Sequence, residues 1–286
     1  MTNWTQSTEL LQDSSRENGN LLVIDGDALP YMIGWHHREH RDVIEVQRAV
    51  DVWMRDFFIC TSADEYLGII GSGAKCFRYD VYKYRPYKGN RQGEKDEWIV
   101  FWEPVIRNWL TQRWGFKKAP DHLETDDVVA TAGSTSFRGR NLLICSPDKD
   151  LKQIPGYHVD YRKLIDGGGI HTESIDAKQA LYRWCIQMLC GDSTDNITGV
   201  PGLGPKKADA LLASVDEFQW KSAVREAYQK YFGNYYGNII YSETEYTLTM
   251  MTPNHPLWET YGFDFVDYPS GIRNVKEYAR SVYSET

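Results

Sequence analysis

The sequence is poor in cysteine and contains no long apolar run. Its five cysteines among 286 residues have no paired spacing, which argues against a disulfide framework and against a cysteine-rich zinc site. A reducing compartment is therefore expected, and we predict a cytoplasmic protein. Because no run of about 18 apolar residues exists and residues 1–20 are polar, we expect neither a membrane span nor a secretory signal.

A basic excess, common in proteins that bind nucleic acids, is also missing. The chain has 32 Lys and Arg against 40 Asp and Glu, a formal net charge of −8. Cations are nevertheless concentrated between residues 75 and 95, where they alternate with Phe77, Tyr79, Tyr82, Tyr84 and Tyr87. This pattern suits single-stranded nucleic acid, whose backbone contacts cations while its bases stack on rings. A solvated helix with cations around a few core aromatics is the alternative.

Apolar segments with strand and helix character alternate along the first 180 residues. Buried strands are predicted at 20–25, 66–70, 140–145 and 159–163, and helices at 43–60, 97–113 and 123–132. Pro104 predicts a kink or two short helices within 97–113. The alternation indicates an α/β fold with a mostly parallel central sheet and helices on both faces.

The remainder of the chain has a predominantly helical pattern. Helices are predicted at 223–232 and 244–251, separated by a turn at 233–237. We therefore expect a polar extension at 1–19, an α/β core at 20–180 and a helical region at 181–286.

Acidic residues form four clusters that follow strands or begin helices. The clusters are Asp25 with Asp27; Glu124 with Asp126 and Asp127; Asp148 with Asp150; and Asp192 with Asp195. Since parallel strands end at the same edge of a sheet, these carboxylates are expected to converge there. Crowded carboxylates require raised pKa values or compensating cations, and Mg²⁺ or Mn²⁺ prefers such oxygen ligands.

A glycine-rich turn at 199–204 follows the last acidic cluster. It precedes Lys206, Lys207 and an apolar helical segment. Exposed backbone N–H groups at a helix N-terminus favour a phosphate. The turn lacks the spacing of an ATP-binding phosphate loop, so ATP hydrolysis is not expected.

Five short motifs occur in order between about residues 20 and 215. They are Val23-Ile-Asp25-Gly26, Tyr87-Lys88-Gly89-Asn90-Arg91, Leu123-Glu-Thr-Asp-Asp127, Ser146-Pro-Asp-Lys-Asp150 and residues 191–204. Together they resemble the flap endonuclease and 5′→3′ exonuclease superfamily, most closely its stand-alone bacteriophage members. The resemblance implies a PIN-like 5′-nuclease core and a helix–three-turn–helix motif at about 186–213.

The resemblance also implies a site that holds two Mg²⁺ or Mn²⁺ ions. It assigns Asp25, Glu124 and Asp126 to the first metal, Asp150, Asp192 and Asp195 to the second, Asp148 between them, and Asp127 to the metal site as a supporting residue. It places Lys88 and Arg91 on the scissile phosphate as catalytic residues. For DNA binding it implies Arg78, Tyr87 stacked on the terminal base, Gly202, Gly204, Lys206 and Lys207, with K⁺ held by the carbonyls of Val200 and Leu203.

The implied activity is phosphodiester hydrolysis near the 5′ ends of duplex, nicked or gapped DNA, leaving 5′-phosphates. The resemblance also implies flap cleavage and removal of RNA from an RNA–DNA hybrid as further activities. We expect a monomer that serves phage DNA replication or recombination in the host cytoplasm. The short interval from Arg91 to Glu124 predicts only a reduced arch at about 75–113, which makes threading of long 5′ flaps doubtful. A PIN-type ribonuclease and a catalytically weakened DNA-binding relative are the alternatives.

One position departs from the family pattern. The family has an Asp shortly before the Phe-Arg found here as Phe77-Arg78, whereas this chain has Gly71-Ser72-Gly73. Either Asp27 or a water replaces that ligand, or the first metal binds more weakly. The histidines His36, His37 and His40 have no nearby cysteine or acid at ligand spacing, so we predict a solvated helix face there.

Overall fold

The computed structural model describes residues 19–91, 93–135, 141–263 and 271–276, so the expected extension at 1–19 lies almost entirely outside the described residues. The strands are β1 (Asn20–Asp25), β2 (Ala63–Ile70), β3 (Lys117–Lys118), β4 (Asn141–Cys145), β5 (Gly156–Asp160), β6 (His171–Ile175), β7 (Gly191–Asp192), β8 (Ile197–Thr198) and β9 (Arg273–Asn274). The main sheet has the order β3-β2-β1-β4-β5-β6, with parallel pairing except between β5 and β6. Strand β9 adds an antiparallel pair to β2.

The described residues also form ten α-helices. They are α1 (Leu29–His36), α2 (Val43–Thr61), α3 (Arg78–Val81), α4 (Glu97–Trp114), α5 (Thr125–Ser134), α6 (Ala177–Cys190), α7 (Pro205–Ala213), α8 (Trp220–Phe232), α9 (Asn234–Leu248) and α10 (Trp258–Tyr261). Four of them, α1, α2, α4 and α5, pack on the two faces of this sheet. Leu22 and Ile24 of β1 pack with α1, α2 and α4, whereas Val23 packs with α5 on the opposite face. This alternation follows from the two-residue period of a strand. The predicted fold class is confirmed.

A third cluster of buried side chains joins helices α6 to α9. Trp184, Leu212, Tyr228 and Tyr241 contribute one large side chain from each of the four helices. The expected boundary at residue 180 falls inside α6, and β9 brings the chain back to the central sheet. Among the described residues, none of the helices has both the length and the apolar character needed to cross a membrane.

Helix α4 excludes one of the two outcomes predicted from Pro104, a pair of short helices. The helix continues as one element from Glu97 to Trp114 with Pro104 inside it. Proline removes one backbone hydrogen bond, but the face carrying Trp102, Ile106 and Leu110 is fully buried. Burial of these large apolar side chains offsets the lost bond, and the helix is not divided.

Two other boundaries differ from the sequence-based expectation. The segment predicted as a strand at 159–163 becomes the end of β5 and a 3₁₀ turn at Arg162–Leu164. The predicted turn at 233–237 is reduced to Gly233, whose φ is +80°, and α9 begins at Asn234. Gly237 instead permits close helix packing, because a Cβ there would lie 2.6 Å from the Cα of Gln229 on α8.

Candidate metal centre and nucleic-acid interface

The acidic clusters line one cavity of about 540 Å³ at the carboxyl edge of the parallel strands. Asp25 ends β1, Asp148 and Asp150 follow β4, and Asp192 ends β7. The lining acids are Asp25, Asp27, Glu124, Asp126, Asp148, Asp150, Asp192 and Asp195. The fold thus brings together every predicted metal-site acid except Asp127.

Asp25 is buried at the base of the cavity. Its carboxylate accepts hydrogen bonds from the Ser146 hydroxyl at 2.7 Å and from the Asp27 backbone N–H at 3.0 Å. Burial, together with the charges of Asp27 and Asp148, raises the pKa of Asp25 to about 7. The Ser146 hydroxyl oxygen also accepts from the Asp148 backbone N–H at 3.0 Å. One serine therefore orients the acids that follow two neighbouring strands.

Negative charge accumulates among the other acids of the cavity. Burial and the charge of Asp25 raise the pKa of Asp126 well above its usual range. Burial and the charges of Asp148 and Asp192 raise the pKa of Asp150 to about 7. Such a set of oxygen donors without enough cations is the environment that hard divalent ions occupy. The donor set therefore fits Mg²⁺ or Mn²⁺.

Lys149 is a member of the cavity that the sequence-based reasoning missed. Its ammonium lies 3.2 Å from Oδ2 of Asp192. Burial alone would raise the pKa of Asp192, but Lys149 and the Thr194 backbone N–H, at 2.7 Å, bring that pKa below its ordinary value. The position of Lys149 between Asp148 and Asp150 in the sequence was the signal that could have placed it in the cavity.

Lys88 lies on the opposite side, between two acids. Its ammonium pairs with Glu124 and lies 3.9 Å from Oδ2 of Asp195. Its backbone has a φ of +54°, and its N–H donates to the Asp195 carbonyl at 2.8 Å. Burial would lower the pKa of Lys88, but Glu124 and Asp195 raise it above the ordinary value. The ammonium is therefore held charged at the cavity wall.

Arg91 and Asn90 attach the same segment to the turn after β7. The Arg91 guanidinium lies 2.5 Å from Oδ1 of Asp195 and donates to the Thr194 carbonyl at 3.3 Å. Asn90 donates to the Ser193 carbonyl at 2.6 Å. These contacts join the predicted catalytic cations to the turn that carries two of the predicted metal ligands.

The structure corrects the role expected for Tyr87. Its ring is 4% exposed, and its hydroxyl donates to Glu124 at 2.8 Å and to Asp195 at 3.0 Å. A ring so placed offers no face to a terminal base, and its hydroxyl orients two carboxylates instead. Phe77 and Tyr82 are also buried, whereas Tyr79 and Tyr84 are exposed. The alternative expectation, that these aromatic residues belong to the core, thus applies to three of the five rings.

Arg78 also differs from its expected role, because it is paired with Asp127 in the core. They form a bidentate ion pair with N···O distances of 2.6 and 2.7 Å, and the two residues are 2% and 0% exposed. The Asp127 oxygens also accept from the backbone N–H groups of Met251 and Glu124, so the carboxylate has no access to the cavity. Arg78 cannot contact DNA and Asp127 cannot ligate a metal in this arrangement.

Asp27 meets the segment where the family acid is absent. Its carboxylate accepts from the Gly71 backbone N–H at 2.9 Å and from the Thr125 hydroxyl at 2.7 Å. The Arg107 guanidinium lies 2.9 Å from the same carboxylate and donates to the Gly71 carbonyl at 3.3 Å. Asp27, which follows β1, therefore places a negative charge beside the Gly71 segment, which follows β2.

The glycine-rich turn joins α6 to α7 through close backbone contacts. A Cβ on Gly199 would lie 2.3 Å from the Leu189 carbonyl, so only glycine fits there. Gly202 has a φ of +82°, and Gly204 precedes α7. The Val200 carbonyl accepts from the Leu203 N–H at 3.0 Å, which leaves one lone pair at a predicted K⁺ ligand.

The first turn of α7 presents charge to solvent. Lys206 and Lys207 are both exposed, and their backbone N–H groups lie in this turn after Pro205. Exposed cations at a helix N-terminus can contact a phosphate without first losing another partner. The arrangement can thus grip a nucleic-acid backbone, away from the acidic cavity.

Comparisons with known proteins agree with this geometry. A segment of the chain is 33% identical over 156 residues to DNA polymerase I of Rhizobium leguminosarum, covering 50% of the chain and 14% of that protein. Another match is 31% identical over 149 residues to the 5′-3′ exonuclease of Buchnera aphidicola, covering 50% of each. A third is 37% identical over 93 residues to the flap endonuclease Xni of Shewanella amazonensis, covering 31% of the chain and 37% of that protein. No family model matches the chain.

Solved structures share the fold over most of the chain. The bacteriophage T5 5′-exonuclease with bound zinc has a TM-score of 0.51 at 15% identity, covering 81% of this chain and 99% of that one. Flap endonuclease-1 from Methanococcus jannaschii has a TM-score of 0.52 at 12% identity, covering 95% of both chains. The chain is thus similar in sequence to 5′→3′ exonucleases and flap endonucleases, and it shares their fold.

These similarities agree with the resemblance carried by the five motifs. The matched segments span half or less of the length of these curated relatives. The activity of the chain therefore follows as a proposal.

Proposed function

We propose that the protein is a divalent-metal-dependent 5′→3′ nuclease that hydrolyses phosphodiesters near the 5′ ends of duplex, nicked or gapped DNA. The convergence of carboxylates from four chain segments in one cavity supports this proposal most strongly. The raised pKa values of Asp25 and Asp150 indicate that these groups lack compensating positive charge. Bound cations would supply that charge.

The proposed ligands are assigned to two ions as the family resemblance implies. Asp25, Glu124 and Asp126 would hold one Mg²⁺ or Mn²⁺, Asp150, Asp192 and Asp195 another, and Asp148 lies between. When bound, such ions lower the pKa of a water and stabilise the leaving oxygen of an in-line displacement. Lys149 would keep Asp192 ionised, since it holds the pKa of that carboxyl low.

Lys88 and Arg91 would act on the scissile phosphate. Both cations are paired with acids of the cavity, Lys88 with Glu124 and Arg91 with Asp195. Their positions at the cavity wall would let the ammonium and the guanidinium contact an incoming phosphate. There they would position the phosphate and stabilise the charge that develops on its oxygens. The product would retain a 5′-phosphate.

The turn at 199–204 and the first turn of α7 would bind the duplex away from the cut. Lys206, Lys207 and the backbone around Gly202 and Gly204 would contact phosphates, with K⁺ at Val200 and Leu203 as an additional ligand. Helix α4 packs into the core through Trp102 and Ile106. This packing supports a reduced arch, through which a long 5′ flap would not thread. We therefore expect exonuclease action on 5′ ends, with short flaps and RNA primers as further substrates. Similarity to bacteriophage enzymes suggests DNA replication or recombination as the process served.

The test compares three 5′-labelled substrates, a flap, a nicked duplex and an RNA–DNA hybrid, with Mg²⁺ or Ca²⁺ present. Asp148→Ala should abolish cleavage in Mg²⁺ and leave duplex affinity in Ca²⁺ within about twofold of wild type, a change of about 0.4 kcal/mol. Lys88→Ala should slow single-turnover cleavage far more than it weakens binding. Asp56→Asn, an acid on α2 paired with Arg55, is the matched control.

Several outcomes would contradict the proposal. Undiminished cleavage by Asp148→Ala in Mg²⁺ would refute the metal assignment. Cleavage of single-stranded RNA in preference to all three substrates would favour the PIN-type ribonuclease. Tight duplex binding without cleavage by the wild-type chain would identify a catalytically weakened relative.

A further inference from the structure

Three potential metal ligands converge where α1 connects to α2. Nδ1 of His37 lies 3.1 Å from Nε2 of His40, and each of these nitrogens lies 3.7 Å from Oε1 of Glu45. The sequence-based prediction placed the histidines on a solvated face because no acid stood at ligand spacing. Glu45 supplies that acid from the first turn of the next helix.

The three distances match those of a small tetrahedral metal site. Zinc bonds of about 2.0–2.2 Å to nitrogen and oxygen place neighbouring ligand atoms about 3.3–3.6 Å apart. The observed separations of 3.1, 3.7 and 3.7 Å lie on either side of that range. Shifts of a few tenths of an ångström in side chains would bring all three atoms to one ion.

The surrounding structure holds these side chains in place. The His37 carbonyl accepts from the Trp102 indole N–H at 3.0 Å, which fixes the end of α1 against α4. The Asp42 carboxylate accepts from the Glu45 N–H at 3.0 Å and caps α2. The His40 ring meets Trp102 edge-on, with ring centroids 6.2 Å apart. The ligand set is thus anchored from both helices rather than carried by a free loop.

The protonation of the two imidazoles is compatible with metal binding. Nδ1 of His40 accepts from the Asp42 N–H at 3.2 Å, so its proton is on Nε2 and is donated to His37. Burial and the neighbouring His40 lower the pKa of His37, which keeps it neutral at neutral pH. A metal would replace the shared N–H···N bond, and the His40 proton would move to Nδ1, which would then no longer accept from the Asp42 N–H.

Other charged groups around the cluster have partners of their own. His36 faces Asp166 at 3.3 Å, Arg38 pairs with Glu39 at 3.2 Å, and Arg41 stacks on Phe101 at 4.7 Å. None of these contacts uses the three converging ligand atoms. The one carboxylate of the cluster would therefore balance part of the charge of a divalent ion.

We propose that His37, His40 and Glu45 form a second metal site, separate from the carboxylate cavity, that binds a zinc-class ion and fastens α2 to the end of α1. Two imidazoles and one carboxylate favour Zn²⁺ or Co²⁺, whereas sites of oxygen alone favour Mg²⁺ or Mn²⁺. The site is independent of the proposed nuclease activity, and it does not need that activity to be correct.

The test is a Co²⁺ titration of the full chain with excess Mg²⁺ present to occupy the carboxylate cavity. Wild type should take up one equivalent of Co²⁺ with the strong visible absorption of a four-coordinate, nitrogen-ligated ion, and added Zn²⁺ should abolish the absorption. His40→Ala should lose it, and Glu45→Gln should weaken Co²⁺ binding about tenfold or more, about 1.4 kcal/mol. His36→Ala, in the same segment but outside the cluster, should match wild type.

Circular dichroism of each variant separates loss of the site from loss of the fold. Absence of the absorption in folded wild type would overturn the proposal. So would its persistence in both His40→Ala and Glu45→Gln, or its loss in folded His36→Ala.

Discussion

The Arg107 guanidinium lies 2.9 Å from the Asp27 carboxylate, directly beside the Gly71 segment where the family resemblance predicts an acid. After burial, the charge of the same Asp27 carboxylate is the largest cause that raises the pKa of Asp25. The two acids therefore contribute negative charge to the same part of the cavity. Asp27 thus occupies the electrostatic place of the absent family acid. Arg107 partly neutralises it, which gives this side of the site a weaker negative charge.

Asp27→Asn is expected to weaken divalent-metal binding by about tenfold, about 1.4 kcal/mol. The substitution removes one negative charge; the amide oxygen can still accept from the Gly71 N–H, and the amide NH₂ can donate to the Thr125 hydroxyl. Arg107→Gln should change affinity in the opposite direction, because it frees the Asp27 charge. A Mn²⁺ titration followed by electron paramagnetic resonance measures both. Identical Mn²⁺ affinities for wild type and the two variants would contradict the argument.

Arg78→Ala should lower the free energy of unfolding by about 3–5 kcal/mol, since it leaves the Asp127 carboxylate buried without its partner. Denaturant unfolding measures the change. The matched control is Arg55→Ala, whose ion pair with Asp56 is half-exposed and whose loss should cost about 0–1 kcal/mol. Equal small losses in both variants would show that the buried pair contributes little.

The same ion pair marks what the sequence could and could not reveal. Buried strands such as β1 are continuous apolar runs, and the acids that end them could therefore be assigned to one sheet edge. Arg78, by contrast, belongs to a basic stretch, and composition alone predicts an exposed side chain there. Its counter-ion Asp127 is 49 residues away, so only the tertiary structure brings the pair together.

Local turn propensity misled the prediction at 233–237 for a related reason. Gly233 does end α8, but Gly237 allows α9 to lie against Gln229. Glycine permits both a turn and a close helix contact, and the sequence does not distinguish them. Glu45 illustrates the same limit, because its approach to His37 depends on how α2 packs after α1.

Asp150→Asn should stabilise the metal-free protein, with an advantage that grows between pH 5 and pH 8. The pKa of Asp150 is raised from 3.8 to about 7 in the folded chain by burial and by Asp148 and Asp192. Between these values the folded state binds the extra proton, so the contribution of this group to stability falls as pH rises. Melting temperatures in EDTA measure the difference. Excess Mg²⁺ should remove or reverse it, and a difference independent of pH would contradict the assignment.

Lys206→Gln should reduce the salt dependence of duplex binding by about 0.9 in the slope of log K against log salt concentration, the value for one phosphate contact. The side chain is exposed in the first turn of α7 and lies outside the carboxylate cavity. Catalysis at saturating DNA should therefore stay unchanged. Fluorescence anisotropy in Ca²⁺ at several salt concentrations gives the slope. Lys230→Gln, exposed on α8, is the control for charge alone. An equal reduction in both variants would indicate a general charge effect and remove the specific role of α7.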